Sequence, residues 1–123
     1  MAAQRLLIAL AGLMGAAGIV LTAAGAHGKP GAGLDAAGYL LLIHALAMMA
    51  AVALLREPFL WRPLALAALW GFVAGTALFA ADVSARAYLG VRLFPFAAPA
   101  GGMLLIASWV LFAVSALIGS RGI

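Results

Sequence analysis

Residues 6–26 read LLIALAGLMGAAGIVLTAAGA, an apolar run of 21 residues without one charged side chain. A helix needs about 20 apolar residues to cross about 30 Å of hydrocarbon. Three further runs of similar length follow, at residues 36–55, 64–81 and 97–118. Alanine, leucine and glycine dominate all four runs, and no alternation of polar and apolar residues is present. This pattern favours membrane-spanning helices over the strands of a barrel.

The composition of the whole chain points the same way. Of its 123 residues, 68% are hydrophobic and 8% are charged, whereas about 25% of residues are charged in a typical soluble domain. The mean hydropathy is +1.24, which a globule of this size cannot hide, because small domains keep much of their surface wet. We therefore predict an all-α integral membrane protein. Its fold would be a compact antiparallel bundle of four transmembrane helices, forming one domain over residues 1–123, with helices at about 6–26, 36–55, 64–84 and 97–118.

The charges lie where membrane proteins keep them, between the apolar runs. The net charge of +4 therefore favours the lipid bilayer as partner, and we expect no nucleic acid to bind. One membrane face would carry Arg5, Arg56, Arg62 and Arg121, and the other Lys29, Arg86 and Arg92. This small excess predicts that both termini lie in the cytoplasm, and we expect the membrane to be the inner membrane. The chain contains no cysteine, which excludes disulfides and cysteine chemistry.

Small residues recur on one face of several helices. Without a hydrophobic force between helices in lipid, close approach of backbones is what holds a bundle together. The residues predicted to pack in this way are Gly15, Gly18, Gly25, Gly71, Gly75, Gly101 and Gly102. The alternative is that alanine-rich membrane helices produce such stripes by composition alone.

His44 interrupts the second apolar run, LLIHALAMMA at residues 41–50. It lies eight residues into the predicted helix, about 12 Å from its start. It shares a face with Ala47 and Ala51, so we expect the ring to point into the bundle and to be neutral, because low dielectric disfavours its charged form. Two interpretations remain open. The histidine either joins two helices through one hydroxyl or carbonyl, or serves as a functional intramembrane group.

Several polar residues are expected at one mouth of the bundle. Asp82 and Arg86 have the i, i+4 spacing of a helical ion pair, and His27 ends the first run on the same membrane side. Together with His44 below them, these residues form the predicted polar site: His27, His44, Asp82 and Arg86. The alternative is a simple interfacial ion pair. No HExxH and no i, i+4 histidine pair occurs, so we expect no metal ion. Neither a cofactor motif nor a paired nucleophile and base is present, so we expect no cofactor and no enzyme.

Four short motifs, in order along the chain, resemble those of a known family. They are AGAHG at residues 24–28, HALA at 44–47, GTALF at 75–79, and APAGG at 98–102 with Trp109 seven residues later. In this order they resemble the YgdD family of small four-helix membrane proteins, which includes animal transmembrane protein 256. The resemblance implies four helices and a membrane location, but no catalytic residue. Leu40 stands where many members have a tyrosine, four residues before the histidine of the second motif.

Two functions are compatible with these observations. The first is a structural or accessory membrane protein that packs against itself as a homo-oligomer or joins a larger membrane complex. The alternative is binding or transport of a small solute, a proton or a lipid headgroup through a polar site around His44, His27 and Asp82.

Overall fold

The computed structural model describes residues 2–119, and this part of the chain is almost entirely helical. The helices are α1 (Ala2–Ala23), α2 (Leu34–Leu54), α3 (Arg62–Leu89) and α4 (Ala97–Ile118), and a π-helical turn, Ala24–Gly28, directly continues α1. All four helices are long and apolar enough to cross a membrane, and no strand occurs in the described residues. Arg121, which entered the prediction of orientation, lies outside them.

The helix ends differ from the predicted ones where polar residues extend an apolar run. α1 begins at Ala2, ahead of Gln4 and Arg5, because both are good helix formers. α3 continues to Leu89 rather than ending at residue 84, and Gly90 ends it in the left-handed conformation with a φ of 71°. α4 has the predicted bounds, Ala97–Ile118.

The helices pair as two antiparallel hairpins, each closed by a contact between glycine backbones. In the α1/α2 hairpin, a Cβ atom added to Gly18 would lie 2.9 Å from the carbonyl oxygen of Gly38. In the α3/α4 hairpin, a Cβ added to Gly101 would lie 2.8 Å from the carbonyl oxygen of Gly75. Such distances are too short for any side chain, so glycine at these positions lets the backbones touch.

The other glycines predicted to pack have more varied surroundings. Added Cβ atoms would overlap Asp35 at Gly25 and Ser108 at Gly71, and would reach the Cβ of Ala45 at 4.0 Å from Gly15. Gly102 has nothing within 4 Å of its Cβ position. Close helix contact therefore requires the absence of a side chain at Gly25 and Gly71, but not at Gly102.

α2 packs against α3 and so joins the two hairpins into one bundle. No backbone positions of α1 and α4 within residues 2–119 come within 8 Å of each other, so α2 and α3 lie at the centre and α1 and α4 at the outside. This arrangement confirms the predicted antiparallel four-helix bundle. Because α2 and α3 are central, side chains from an outer helix can contact the buried polar residues of these two helices.

Candidate functional site

His44 is buried, with 3% of its surface exposed, and both of its ring nitrogens have hydrogen-bond partners. Nδ1 lies 2.7 Å from the carbonyl oxygen of Leu40, one turn earlier in α2. Nε2 lies 3.0 Å from Nε1 of Trp109, on α4. Because an indole N–H only donates and a carbonyl oxygen only accepts, Nδ1 must carry the proton and Nε2 must be the acceptor. These partners therefore specify one neutral tautomer.

His44, Phe72 and Trp109 form an aromatic cluster that joins three helices. The ring centroids lie 5.2 Å apart for His44 and Phe72, 5.7 Å for His44 and Trp109, and 4.8 Å for Phe72 and Trp109. Phe72, on α3, is fully buried between the other two rings' helices. No backbone positions of α2 and α4 in the described chain come within 8 Å. The Trp109 side chain therefore makes a connection between α2 and α4 that their backbones do not make.

The buried hydroxyl groups of α3 and α4 also form hydrogen bonds within the bundle. Thr76 donates to the carbonyl oxygen of Phe72 at 2.7 Å, and Ser108 to that of Leu104 at 2.8 Å. Ser115 donates to the carbonyl oxygen of Phe112 at 2.6 Å. Each bond returns to a carbonyl of the same helix, which is the usual way of satisfying a hydroxyl in a membrane helix. Each of these hydroxyls therefore donates its hydrogen within its own helix.

Asp82 is buried, with 1% exposure, and its carboxylate binds backbone amides of the α3–α4 connection and of α4. Oδ1 accepts from the N–H of Leu93 at 2.9 Å, and Oδ2 accepts from the N–H of Ala98 at 3.2 Å. Nε of Arg86 lies 3.5 Å from Oδ2. α4 has no acidic residue in its own first turn, and its N-cap residue Phe96 makes no side-chain cap. Asp82 therefore caps α4 from α3, where a negative charge favours the positive end of the helix.

Phe96 itself shows what this connection requires of the backbone. Its φ is 66°, which makes it the one described residue other than glycine in the left-handed region. A non-glycine residue there costs on the order of 1 kcal/mol. The two amides held by Asp82 lie on either side of Phe96, so the carboxylate supports this turn.

The structure brings together one pair from the predicted polar site. Asp82 and Arg86 are in contact. His44 faces Phe72, which lies ten residues before Asp82 on α3, so the two buried groups are about 15 Å apart along the bundle. His27 is exposed in the π-helical turn, and within residues 2–119 its side chain forms no hydrogen bond or salt bridge.

Two cavities lie elsewhere in the bundle. One, of about 240 Å³, is an apolar groove among α1, α2 and α3 whose lining includes Met14, Leu41 and Val73. The other, of about 330 Å³, lies at the opposite end of the α1/α2 hairpin from the π-helical turn, and we call it the arginine cavity. Its lining residues are Gln4, Arg5, Val52, Ala53 and Arg56. Neither cavity includes His44 or Asp82. Across the described chain, no group of three or more residues is placed to hold a metal ion.

Trp109 is the partner of His44 that sequence reasoning did not identify. The sequence did contain an indication of this contact, because an indole N–H in lipid needs an acceptor and the neutral ring of His44 offers one. The role of Asp82 as a helix cap carried no such signal. It depends on how α4 begins beside α3, and Leu93 and Ala98 are 11 and 16 residues away in the sequence.

Four helices that are each long and apolar enough to cross a membrane make this a multi-pass membrane protein. Residues 21–102, more than half of the chain, match the model of a family of proteins of unknown function, DUF423, and the chain belongs to this family. No curated protein matches the chain, and no solved structure matches it.

Proposed function

We propose that the protein is a structural or accessory membrane protein of the YgdD type, which acts by packing against copies of itself or within a larger membrane complex. The observation that supports a structural role is that the deep polar groups bond to partners within the chain, and the association itself stays a proposal. Both ring nitrogens of His44 form hydrogen bonds, to Leu40 and Trp109. Both carboxylate oxygens of Asp82 accept hydrogen bonds from backbone amides just before α4 and within it. Polar groups engaged in this way hold helices together.

The same contacts give no support to a solute path through the predicted polar site. A transporter needs a cavity lined by polar groups that a substrate can reach. His44 is sealed by Phe72 and Trp109, and the groove and the arginine cavity both lie away from it. The proposal therefore does not include transport through His44, and the expectation that the protein is not an enzyme stays a prediction.

The proposed association is tested by the oligomeric state in mild detergent. The protein is purified in dodecyl maltoside and its mass is measured by size-exclusion chromatography with light scattering. Crosslinking in intact membranes before extraction is the parallel measurement. We expect a stable oligomer or a complex of fixed composition. A monomer in both measurements would exclude the proposal.

We further propose that both termini lie in the cytoplasm and that the membrane is the inner membrane. The absence of native cysteine makes single-cysteine labelling direct. Ala32→Cys in the α1–α2 connection should react with an impermeant maleimide added outside the cell. Glu57→Cys in the α2–α3 connection should react only after the membrane is made permeable. The reverse pattern would overturn the proposed orientation.

A further inference from the structure

One residue that lines the arginine cavity, Gln4, carries a buried polar atom that has no hydrogen-bond partner within residues 2–119. Gln4 is half-buried, and its Oε1 is the one buried side-chain nitrogen or oxygen in residues 2–119 with no hydrogen-bond partner. Such groups are rare, because leaving a buried polar atom unpaired costs about 1–3 kcal/mol in general. This atom belongs to a residue that lines a cavity of about 330 Å³, which has room for a polar group from outside the chain.

The charge of the cavity indicates what that group is. Arg5 and Arg56 both line it, and the one salt bridge among the described residues is the distant pair Arg86–Asp82. Glu57, which follows Arg56, forms no salt bridge within the described chain. Because neither guanidinium group forms a salt bridge within residues 2–119, the pair favours an anion, and its planar donors match the oxygens of a phosphate.

The position of the cavity is that of a lipid headgroup. Arg5 immediately precedes the apolar run of α1, and Arg56 lies two residues beyond the end of α2. Because α1 and α2 are antiparallel, both arginines lie at the same boundary of the hydrocarbon layer. Lipid phosphates lie at this level, and arginines at helix ends extend towards them.

An apolar surface continues from the cavity into the hydrocarbon layer. Ile8 lies one turn beyond Gln4 on the same face of α1, and Met49 lies one turn before Ala53 on α2. Each has 41% of its surface exposed. Gly12, a further turn along α1, has nothing within 4 Å of its Cβ position. Acyl chains can pack on this surface directly below the arginines. A free phosphate ion bound to the arginines would leave the same surface uncovered.

We propose that Arg5 and Arg56 bind the phosphate of an anionic phospholipid, with the amide of Gln4 as a third polar contact. The N–H group of that amide is the one that donates to a phosphate oxygen. The site is independent of the residues that carry the proposed function, and the shared chemistry that it recognises is a phosphate group.

The test is a titration of the purified full-length protein in dodecyl maltoside, followed by native mass spectrometry. The probes are dihexanoyl phosphatidylglycerol, dihexanoyl phosphatidylcholine and inorganic phosphate. Arg5→Gln and Arg56→Gln should each weaken binding of phosphatidylglycerol about tenfold, as loss of one charge-assisted contact implies. Gln4→Met should weaken it about threefold. The matched control is Arg62→Gln, which removes an exposed arginine at the same membrane face outside the cavity and should change binding less than about twofold.

The outcomes separate the possible ligands. Phosphatidylglycerol should bind about tenfold more tightly than phosphatidylcholine, because the choline group of the latter is positively charged and is repelled by the arginines. If inorganic phosphate displaces phosphatidylglycerol at equal concentration, the assignment to a lipid is wrong and the ligand is the free anion. If Arg62→Gln weakens binding as much as Arg56→Gln, no specific site exists. Circular dichroism verifies the fold of each variant, and Arg56→Lys, which keeps the charge, provides a second comparison should Arg56→Gln fail to fold.

Discussion

The two hairpins close through the same kind of glycine contact but differ in the hydrogen bonds that accompany it. In the α3/α4 hairpin, the N–H of Trp61 donates to the carbonyl oxygen of Ser115 at 2.9 Å near one end, and Asp82 binds the N–H of Ala98 at the other. Within the described residues, no hydrogen bond joins α1 to α2. The α1/α2 hairpin thus depends on van der Waals packing alone, whereas polar contacts also fasten the α3/α4 hairpin at both ends.

Gly38→Leu should therefore have the largest effect on stability. The added side chain meets Thr22 and the carbonyl oxygen of Gly18, and none of the hydrogen bonds in residues 2–119 holds α1 against α2 once the helices separate. We expect a loss of about 3 kcal/mol or more, measured by titration with SDS and circular dichroism. The control is Gly12→Leu, which meets open space. Equal losses from the two variants would contradict the glycine contact.

Gly101→Leu makes the corresponding change in the α3/α4 hairpin. The added side chain would overlap Gly75 and Phe79, but the hydrogen bonds at both ends oppose separation. We expect a loss of about 2–3 kcal/mol, smaller than that of Gly38→Leu in the same titration. Gly102→Leu, one residue further along, should be nearly neutral. A larger loss at Gly101 than at Gly38 would reverse the comparison of the hairpins.

Asp82→Ala should loosen the polar end of the α3/α4 hairpin. It leaves the amides of Leu93 and Ala98 without their acceptor, and we expect a loss of about 2 kcal/mol. Amide hydrogen exchange should rise at residues 93–98 in particular. The matched control is Asp35→Ala, because the carboxylate of Asp35 is exposed and accepts only from the adjacent N–H of Ala36. Unchanged exchange at residues 93–98 would rule out the cap.

Trp109→Phe tests the bond that connects the hairpins. It replaces the indole by a smaller aromatic ring without the N–H that donates to His44, and beyond the loss seen in the Trp70→Phe control we expect a loss of about 1 kcal/mol. Combined with His44→Leu, it should give a coupling energy of similar size in a double-mutant cycle. Trp70→Phe serves as control, since Trp70 forms no side-chain hydrogen bond in the described chain. Additive effects of the Trp109 and His44 substitutions would mean that the bond contributes nothing.

Tyr88→Leu should have the smallest effect. Nζ of Lys29, in the α1–α2 connection, lies 5.4 Å from the centroid of the Tyr88 ring on α3, which links the hairpins at the surface. Exposed contacts of this kind contribute about 0.5 kcal/mol. The loss should vanish in a Lys29→Gln background, as measured in the same titration. A loss that persists there would assign the effect to the tyrosine's own packing.

Some contacts could be predicted from the sequence because they follow from helical spacing. Asp82 and Arg86 are four residues apart and do form an ion pair. His44 was expected to point inward, and it is buried. The hydrogen-bond partners of these groups on other parts of the chain could not be predicted. The bond from Trp109 to His44 spans 65 residues, and nothing in local spacing relates α4 to α2.

The sequence by itself determined the number of helices, their approximate bounds and that the protein spans a membrane. Each apolar run is a local property of the sequence, and its length can be compared directly with the thickness of the bilayer. Only the tertiary structure decided which helices are central, which donor meets His44, and where the carboxylate of Asp82 points. These depend on the pairing and rotation of helices in lipid, where the hydrophobic effect no longer selects partners and individual backbone contacts and hydrogen bonds do.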